Sequence, residues 1–258
     1  MKLDLSIIIP CYNETEKLPK SLTKVATYMA HNFPQKNYEI IVVNDGSTKT
    51  TDSEFKTYGK ESFANGKNKE YPNLKGLRLI SYSLNRGKGY AVKRGISEST
   101  GKTVLFMDCD LSVDLKAIED VFKYRETFGY DVIIGSRRNQ RSVMVKEQTF
   151  VRKIVSFCCN KLTNIIIPLH IKDTQCGFKA FEGNFARQMV KKQISNRFAF
   201  DVEYLYISKL NHKGIQEIPV SWENDEDSKV SVVDASIEFF ECLFKIRNNR
   251  KSYIKLEE

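Results

Sequence analysis

Five short, mostly apolar runs punctuate the first 136 residues: Leu5–Pro10, Glu39–Val43, Leu77–Tyr82, Thr103–Met107 and Val132–Gly135. Each is strand-length and nearly continuous in its apolar character, the mark of a strand buried on both faces. Between them lie segments with helical spacing, from about Glu16 to Met29, from residue 52 onward, from Asn85 to about Ser99, and from Ala117 to Phe128. Asn13 or Thr15 stands where the first of these helices needs a cap. Strands alternating with helices indicate a parallel sheet wrapped by helices. In such a sheet the carboxyl ends of the strands share one edge, and ligands bind there. With 258 residues and 41% hydrophobic content the chain can bury one large α/β core.

The fourth run climbs directly into Asp108-Cys109-Asp110. Side chains two residues apart on an extended segment leave on the same side, so the two carboxylates can converge. Two anions at the rim of an apolar core repel unless something cationic sits between them. A divalent, oxygen-seeking ion such as Mg²⁺ or Mn²⁺ suits them, and it usually brings a phosphate with it. Such a pair also occurs by chance in solvated loops; the apolar strand in front weighs against that here. Three other strands end in polar groups, Tyr12-Asn13-Glu14, Asn44-Asp45-Gly46-Ser47 and Ser136-Arg137. One pocket could collect them all. Asp45 can accept N–H bonds from a nucleobase, and Glu14 can do the same or bind a ribose hydroxyl. Arg86 and Lys88, at a helix start, add cations and free N–H groups for phosphate. Neither G-x-x-x-x-G-K-[ST] nor G-x-G-x-x-G after the first strand is present, which argues against a Walker loop and a dinucleotide cofactor.

Beyond residue 136 the pattern changes. Val151, Ile154, Val155, Cys158, Leu162, Ile165, Ile166 and Leu169 recur at helical spacing, and Phe157, Cys159 and Ile167 broaden the apolar face. Arg137, Arg138, Arg141, Lys146, Arg152, Lys153 and Lys161 border it. This fits a helix lying on an anionic membrane surface and, equally, an ordinary helix packed on the sheet. Near the end, Val233, Ile237, Phe240 and Phe244 make one stripe with Phe239, Leu243 and Ile246 beside it, and Lys245, Arg247, Arg250 and Lys251 follow. We expect one domain over residues 1–230 and an amphipathic, basic helical extension over 231–258. No run of 18 apolar residues exists to span a bilayer, and the first residues do not read as a signal peptide. Six cysteines form no C-x-x-C pair and have no histidine at zinc spacing. That points to a reduced, cytosolic protein without structural disulfides. A net charge of +9 suits a polyanionic partner.

Taken in order, Pro10-x-Tyr12-Asn13-Glu14, Asn44-Asp45-Gly46-Ser47, Asn85-Arg86-Gly87-Lys88-Gly89 and Asp108-x-Asp110 resemble the signature of family 2 glycosyltransferases with the GT-A fold. Asp173-Thr174-Gln175-Cys176-Gly177-Phe178-Lys179, Arg197-Phe198-Ala199-Phe200-Asp201-Val202-Glu203 and Ser228-Lys229-Val230 are similar to motifs of the polyprenyl-phosphate (dolichyl-phosphate) glycosyltransferases, the glucosyltransferase branch more than the mannose synthases. The resemblance implies an α/β, GT-A (Rossmann-like), mostly parallel sheet wrapped by helices, with amphipathic helices in the C-terminal half. It implies that Pro10, Tyr12, Glu14, Val43 and Asp45 hold a nucleoside. Asp108, Cys109 and Asp110 would bind diphosphate and metal, with Ser112 near the metal. Arg137 and Lys229 would meet phosphates, and Asp173 would lie on the acceptor side. The stretch Glu223–Asp227 departs from the mannose synthases, which carry an arginine there.

The implied reaction is inverting transfer of a hexose to a polyprenyl phosphate at the cytoplasmic membrane face, with Mg²⁺ or Mn²⁺ as cofactor. Glucose from UDP-glucose is expected ahead of a GDP-sugar, with an anionic membrane surface as a partner and no nucleic acid. The metal and nearby cations would stabilise charge building on the leaving diphosphate. A lipid phosphate is already anionic and needs no general base. A sugar hydroxyl of a cell-surface polysaccharide would need one, with Asp173 or Asp201 as candidates. The rival roles are a loop anchor for Asp173, and a buried ion pair or helix-start role for Asp201 and Glu203. Two other classes share these residues: a nucleotidyltransferase, releasing pyrophosphate, and a non-enzymatic basic membrane- or nucleic-acid-binding module. His31, His170 and His212 share no pattern, and Trp222 reads as packing rather than a sugar platform.

Overall fold

The computed structural model describes residues 3–14, 16–50, 52–61, 70–144, 160–223, 232–254 and 256. Its strands are β1 (Leu5–Cys11), β2 (Tyr38–Asp45), β3 (Leu74–Tyr82), β4 (Thr103–Met107), β5 (Val132–Ser136), β6 (Val143–Met144), β7 (Phe178–Glu182), β8 (Ile215–Pro219) and β9 (Ser221–Trp222). Seven of them form one sheet in the order β3-β2-β1-β4-β7-β5-β8, while β6 and β9 pair as a small parallel ribbon. All neighbours in the large sheet are parallel except β7, which runs against both β4 and β5. The mostly parallel sheet expected from the alternation is therefore the one that forms. Every residue of β1, β2 and β4 is buried, as their continuous apolar runs require.

Helices cover both faces. On one side α1 (Leu18–Asn32), α2 (Asp52–Glu61) and α4 (Ala117–Phe122) pack Leu22, Val25, Phe55 and Val121 against Ile7, Ile9 and Ile40. On the other, α3 (Lys88–Glu98), α6 (Gly183–Lys192) and α7 (Phe200–Leu210) join α8 (Val232–Asn248) and α9 (Arg250–Tyr253). A short helix over 160–166, α5, adds Ile166 to this second core. The helical pattern expected over 117–128 widens into a π turn after Phe122.

One sequence expectation is corrected. Asn13 does not cap α1: it sits at φ 55° and its side chain is spent on the next loop, while α1 begins with Pro in its first turn and no side-chain cap. Thr15 lies outside the described residues. The sequence pattern does not mark strand β7, because Lys179 breaks its apolar run near its start. The C-terminal helices pack on the sheet. Phe239, Leu243, Ile246 and Tyr253 are buried in the same core as the sheet. The Tyr253 hydroxyl donates to Glu203 Oε1 at 2.6 Å. Within α8 the burial falls on the Phe239-Leu243-Ile246 stripe, and Phe244, from the other stripe, is 54% exposed. Among the described residues no helix is long and apolar enough to cross a membrane, and Cys11, Cys109, Cys176 and Cys242 are free.

Candidate active site

The parallel register brings four strand ends to one edge. Cys11 pairs with Asn44 across β1 and β2, and Ile8 with Phe106 across β1 and β4. Strand β5 points the same way, since β7 reverses twice between it and β4. Side-chain amides tie the first two loops together. Asn13 Oδ1 accepts from the backbone N–H groups of Thr48 (2.9 Å) and Lys49 (3.1 Å). The Asn13 N–H donates to Ser47 Oγ at 2.9 Å, whose hydroxyl donates to Asn44 Oδ1 at 2.5 Å.

Asp45 organises the third loop. Oδ1 accepts from the Tyr82 hydroxyl (2.8 Å) and the Arg86 N–H (2.9 Å). Oδ2 accepts from Asn85 Nδ2 (2.9 Å) and the Gly87 N–H (2.9 Å). A carboxylate has about four acceptor positions, so this one is saturated by its own protein. Its direct contact with a nucleobase, expected from sequence, competes with four existing bonds. Gly87, at φ 101°, could carry no side chain, because a Cβ would lie 2.4 Å from the Asn196 carbonyl oxygen. Asn85 belongs to the Asn85–Gly89 motif; nothing in the sequence marks Tyr82 as its partner on Asp45.

At the end of β4, Asp108 is gripped from two sides. Lys88 Nζ, from the first residue of α3, lies 2.5 Å from Oδ1. The backbone of Gly177 closes on Oδ2, where a Cβ would sit 1.9 Å away. Asp110 Oδ1 accepts the Ser112 N–H at 2.9 Å, so the observed Ser112 contact comes from its backbone. Glu14 faces the pair: burial raises its carboxyl pKa, and the charges of Asp110 and Asp108 add to that while Lys17 opposes it. Cys109 points the other way. Its side chain is buried, and a hydrogen bond with Cys11, together with burial, holds the thiol pKa well above its ordinary value. A diphosphate contact at Cys109 is thus left to its backbone. Val43 and Pro10 are also inside, Val43 in the core against Gly95, and offer no open side-chain surface to a nucleoside. Tyr12 stands at the rim, 44% exposed. Arg86 turns along its helix, stacking on Tyr90 and lining a cavity of about 360 Å³ with Arg197, Phe198 and Lys245.

Arg137, just past β5, forms a two-pronged pair with Asp173: Nε to Oδ2 at 2.7 Å and Nη2 to Oδ1 at 2.9 Å. Its backbone N–H adds a third bond to Oδ2 at 3.0 Å, and its guanidinium lies over the Trp222 ring, 5.4 Å from the centroid. Burial alone would raise the Asp173 pKa, but the Arg137 bonds more than offset it and hold the carboxyl below its usual range. Asp173 is therefore committed to positioning Arg137. Asp201 is likewise paired, with Lys179 Nζ at 2.5 Å, inside the core. Glu203 accepts the N–H groups of Ile194 (2.7 Å) and Ser195 (2.9 Å). Lys229 lies outside the described residues.

Residues 6–188 match the model of the family described as Glycosyl transferase family 2. The chain belongs to this family. Membership makes this glycosyltransferase an enzyme that transfers a hexose. It is 32% identical over 250 residues to a dolichyl-phosphate beta-glucosyltransferase of Dictyostelium discoideum, covering 94% of this chain and 73% of that one. The enzyme of the same name from Saccharomyces cerevisiae is 32% identical over 254 residues, covering 94% and 74%. In fold, the glycosyltransferase is similar to glucosyl-3-phosphoglycerate synthase from Mycobacterium tuberculosis, solved with Mn²⁺, UDP and phosphoglyceric acid. The TM-score is 0.65 at 16% identity, over 95% of this chain and 78% of that one. S. aureus TarS 1-349 with UDP-GlcNAc gives a TM-score of 0.59 at 20% identity, over 99% and 68%. The GT-A fold implied by the sequence motifs is thus the fold of this glycosyltransferase.

Proposed function

We propose that this glycosyltransferase moves glucose from UDP-glucose to a polyprenyl phosphate with inversion at the anomeric carbon. The observation that carries the acceptor class is the fate of the two candidate bases. Asp173 is fully engaged by Arg137, and Asp201 is paired with Lys179. A hydroxyl acceptor would need one of them to take a proton; a phosphate monoester would not. The named relatives support a lipid phosphate and glucose, and the fold neighbours solved with UDP support the nucleotide.

Asp108 and Asp110 would hold a divalent ion. Among the described residues no cluster of three or more His, Cys, Asp or Glu gathers as a metal cage. Two carboxylates are what Mg²⁺ or Mn²⁺ takes when phosphate oxygens and water complete the shell, so the donor set fits. Such an ion neutralises charge on a departing diphosphate. Lys88, at the amino end of α3, presents its ammonium to the same charge. Arg137, locked by Asp173 and stacked on Trp222, offers a fixed guanidinium where an acceptor phosphate would approach. Glu14 and Tyr12 line the nucleoside side. Attachment to the cytoplasmic face of an anionic membrane would run through α5 and α8. Leu162, Ile165 and Phe244 are exposed there, and Arg247 Nη1 bonds the Ile166 carbonyl at 3.0 Å to join the two helices.

The test is direct. The purified protein is incubated with UDP- or GDP-sugars, polyprenyl phosphate and Mn²⁺. UDP and a glycolipid should appear in equal amounts, and Asp108→Ala should abolish both. Pyrophosphate in place of UDP, or transfer only to a sugar hydroxyl, would overturn the proposal.

A further inference from the structure

Asp108 and Asp110 are two anions on one loop, and the structure already supplies a cation for them. Lys88 Nζ sits 2.5 Å from Asp108 Oδ1, and both side chains are nearly three-quarters buried. Nothing in its own helix favours an ammonium there: Lys88 is the first residue of α3, at the positive end of the helix dipole. The Asp108 carboxylate holds it there through the ion pair. Gly177 lies close against Oδ2, where a Cβ would sit 1.9 Å away, and Lys88 occupies Oδ1. A divalent ion that takes Oδ1 must displace Lys88. A diphosphate arriving with that ion offers the displaced ammonium a new anionic partner beside the α3 amino terminus.

We propose that Lys88 is the site's resident counter-ion and that it couples metal binding to nucleotide binding. Metal alone binds weakly because it must evict Lys88. Metal with a nucleoside diphosphate binds tightly because the diphosphate receives Lys88. The coupling is reciprocal, so metal tightens the nucleotide by the same factor. The inference rests on the proposed metal role of Asp108 and Asp110, and its test separates the two.

Mn²⁺ binding to the full chain is followed by the paramagnetic resonance of free Mn²⁺, with and without UDP. It is measured for the natural protein and for Lys88→Met and Lys88→Ala, each checked for folding by circular dichroism. Both variants should bind Mn²⁺ alone about tenfold more tightly, the loss of roughly one competing ion pair. The tightening caused by UDP should shrink by a similar factor. Unchanged Mn²⁺ affinity overturns the inference. So does a shift of equal size with and without UDP, which a general charge effect would give. If the natural protein binds no Mn²⁺ even with UDP, the metal role itself fails and the inference falls with it.

Discussion

A Cβ on residue 177 would lie 1.9 Å from Asp108 Oδ2, far inside van der Waals contact, and both groups are anchored by β-strands that cannot simply part. Gly177→Ala should therefore move the Asp108 carboxylate while leaving the core packed. We expect UDP release to fall at least tenfold, about 1.4 kcal/mol of lost transition-state stabilisation, with little change in thermal midpoint. A midpoint lowered as severely as the activity would instead mark Gly177 as a folding requirement. The Arg137–Asp173 pair predicts a different signature. Asp173→Asn strips the charge from one end of a buried, two-pronged bond and should cost on the order of 3 kcal/mol, read by denaturant unfolding. Arg137→Lys keeps the charge but not the fork, and should lower transfer more than stability. The pH dependence has a definite sign. A carboxyl held below its usual pKa by Arg137 contributes fully above the unfolded value, about 3.9, and loses that contribution as pH falls through the lower folded value. The natural protein should thus lose stability in that acid window, and Asp173→Asn should flatten that part of the curve.

At the level of elements, what could be read in advance divides along physical lines. Strands β1, β2 and β4 were legible because burial on both faces keeps their middles apolar and confines polar residues such as Ser6, Glu39, Asp45 and Thr103 to positions near their ends. The shared edge of the candidate site was legible through the same fact: parallel strands put Glu14, Asp45, Asp108 and Arg137 there. Strand β7 was not legible, because Lys179 falls inside a short strand at a position that a sequence pattern assigns to solvent. Only the three-dimensional meeting with Asp201 and the Cys176 carbonyl makes its burial tolerable. Nor could sequence choose between the two apolar stripes of α8, which are alike in composition and differ in what they meet. The buried stripe carries its own prediction. Leu243 is wholly inside, so Leu243→Ala should cost about 2–5 kcal/mol. A chain ending at residue 231 should fail to give a cooperative unfolding transition, since it would expose the core face that Phe239, Ile246 and Tyr253 cover. A truncated chain that melts like the whole would restore the reading of an independent extension.

For the molecule as a whole, the question is how a chain without a described membrane-crossing helix would reach a lipid-borne substrate. Leu162, Ile165 and Phe244 are 45%, 65% and 54% exposed, on two helices joined by the Arg247 bond to Ile166. Three apolar side chains buried in a bilayer interface contribute several kcal/mol at most, at about 1.5–3 kcal/mol each for full burial. Nearby Lys and Arg add about 1 kcal/mol apiece near an anionic surface, and the net charge of +9 acts in the same direction. Neither contribution alone would make stable attachment; together they would suffice. The protein should accordingly float with vesicles containing phosphatidylserine and not with neutral ones, and raised salt should release it. Leu162→Ser/Ile165→Ser/Phe244→Ser should abolish flotation. Because these side chains already face solvent, the triple variant should keep its thermal midpoint and its Mn²⁺-dependent UDP binding. Transfer to a long polyprenyl phosphate in vesicles should then collapse, while transfer to a short, water-soluble prenyl phosphate should persist. Flotation unaltered by the triple change would move the contact to another surface.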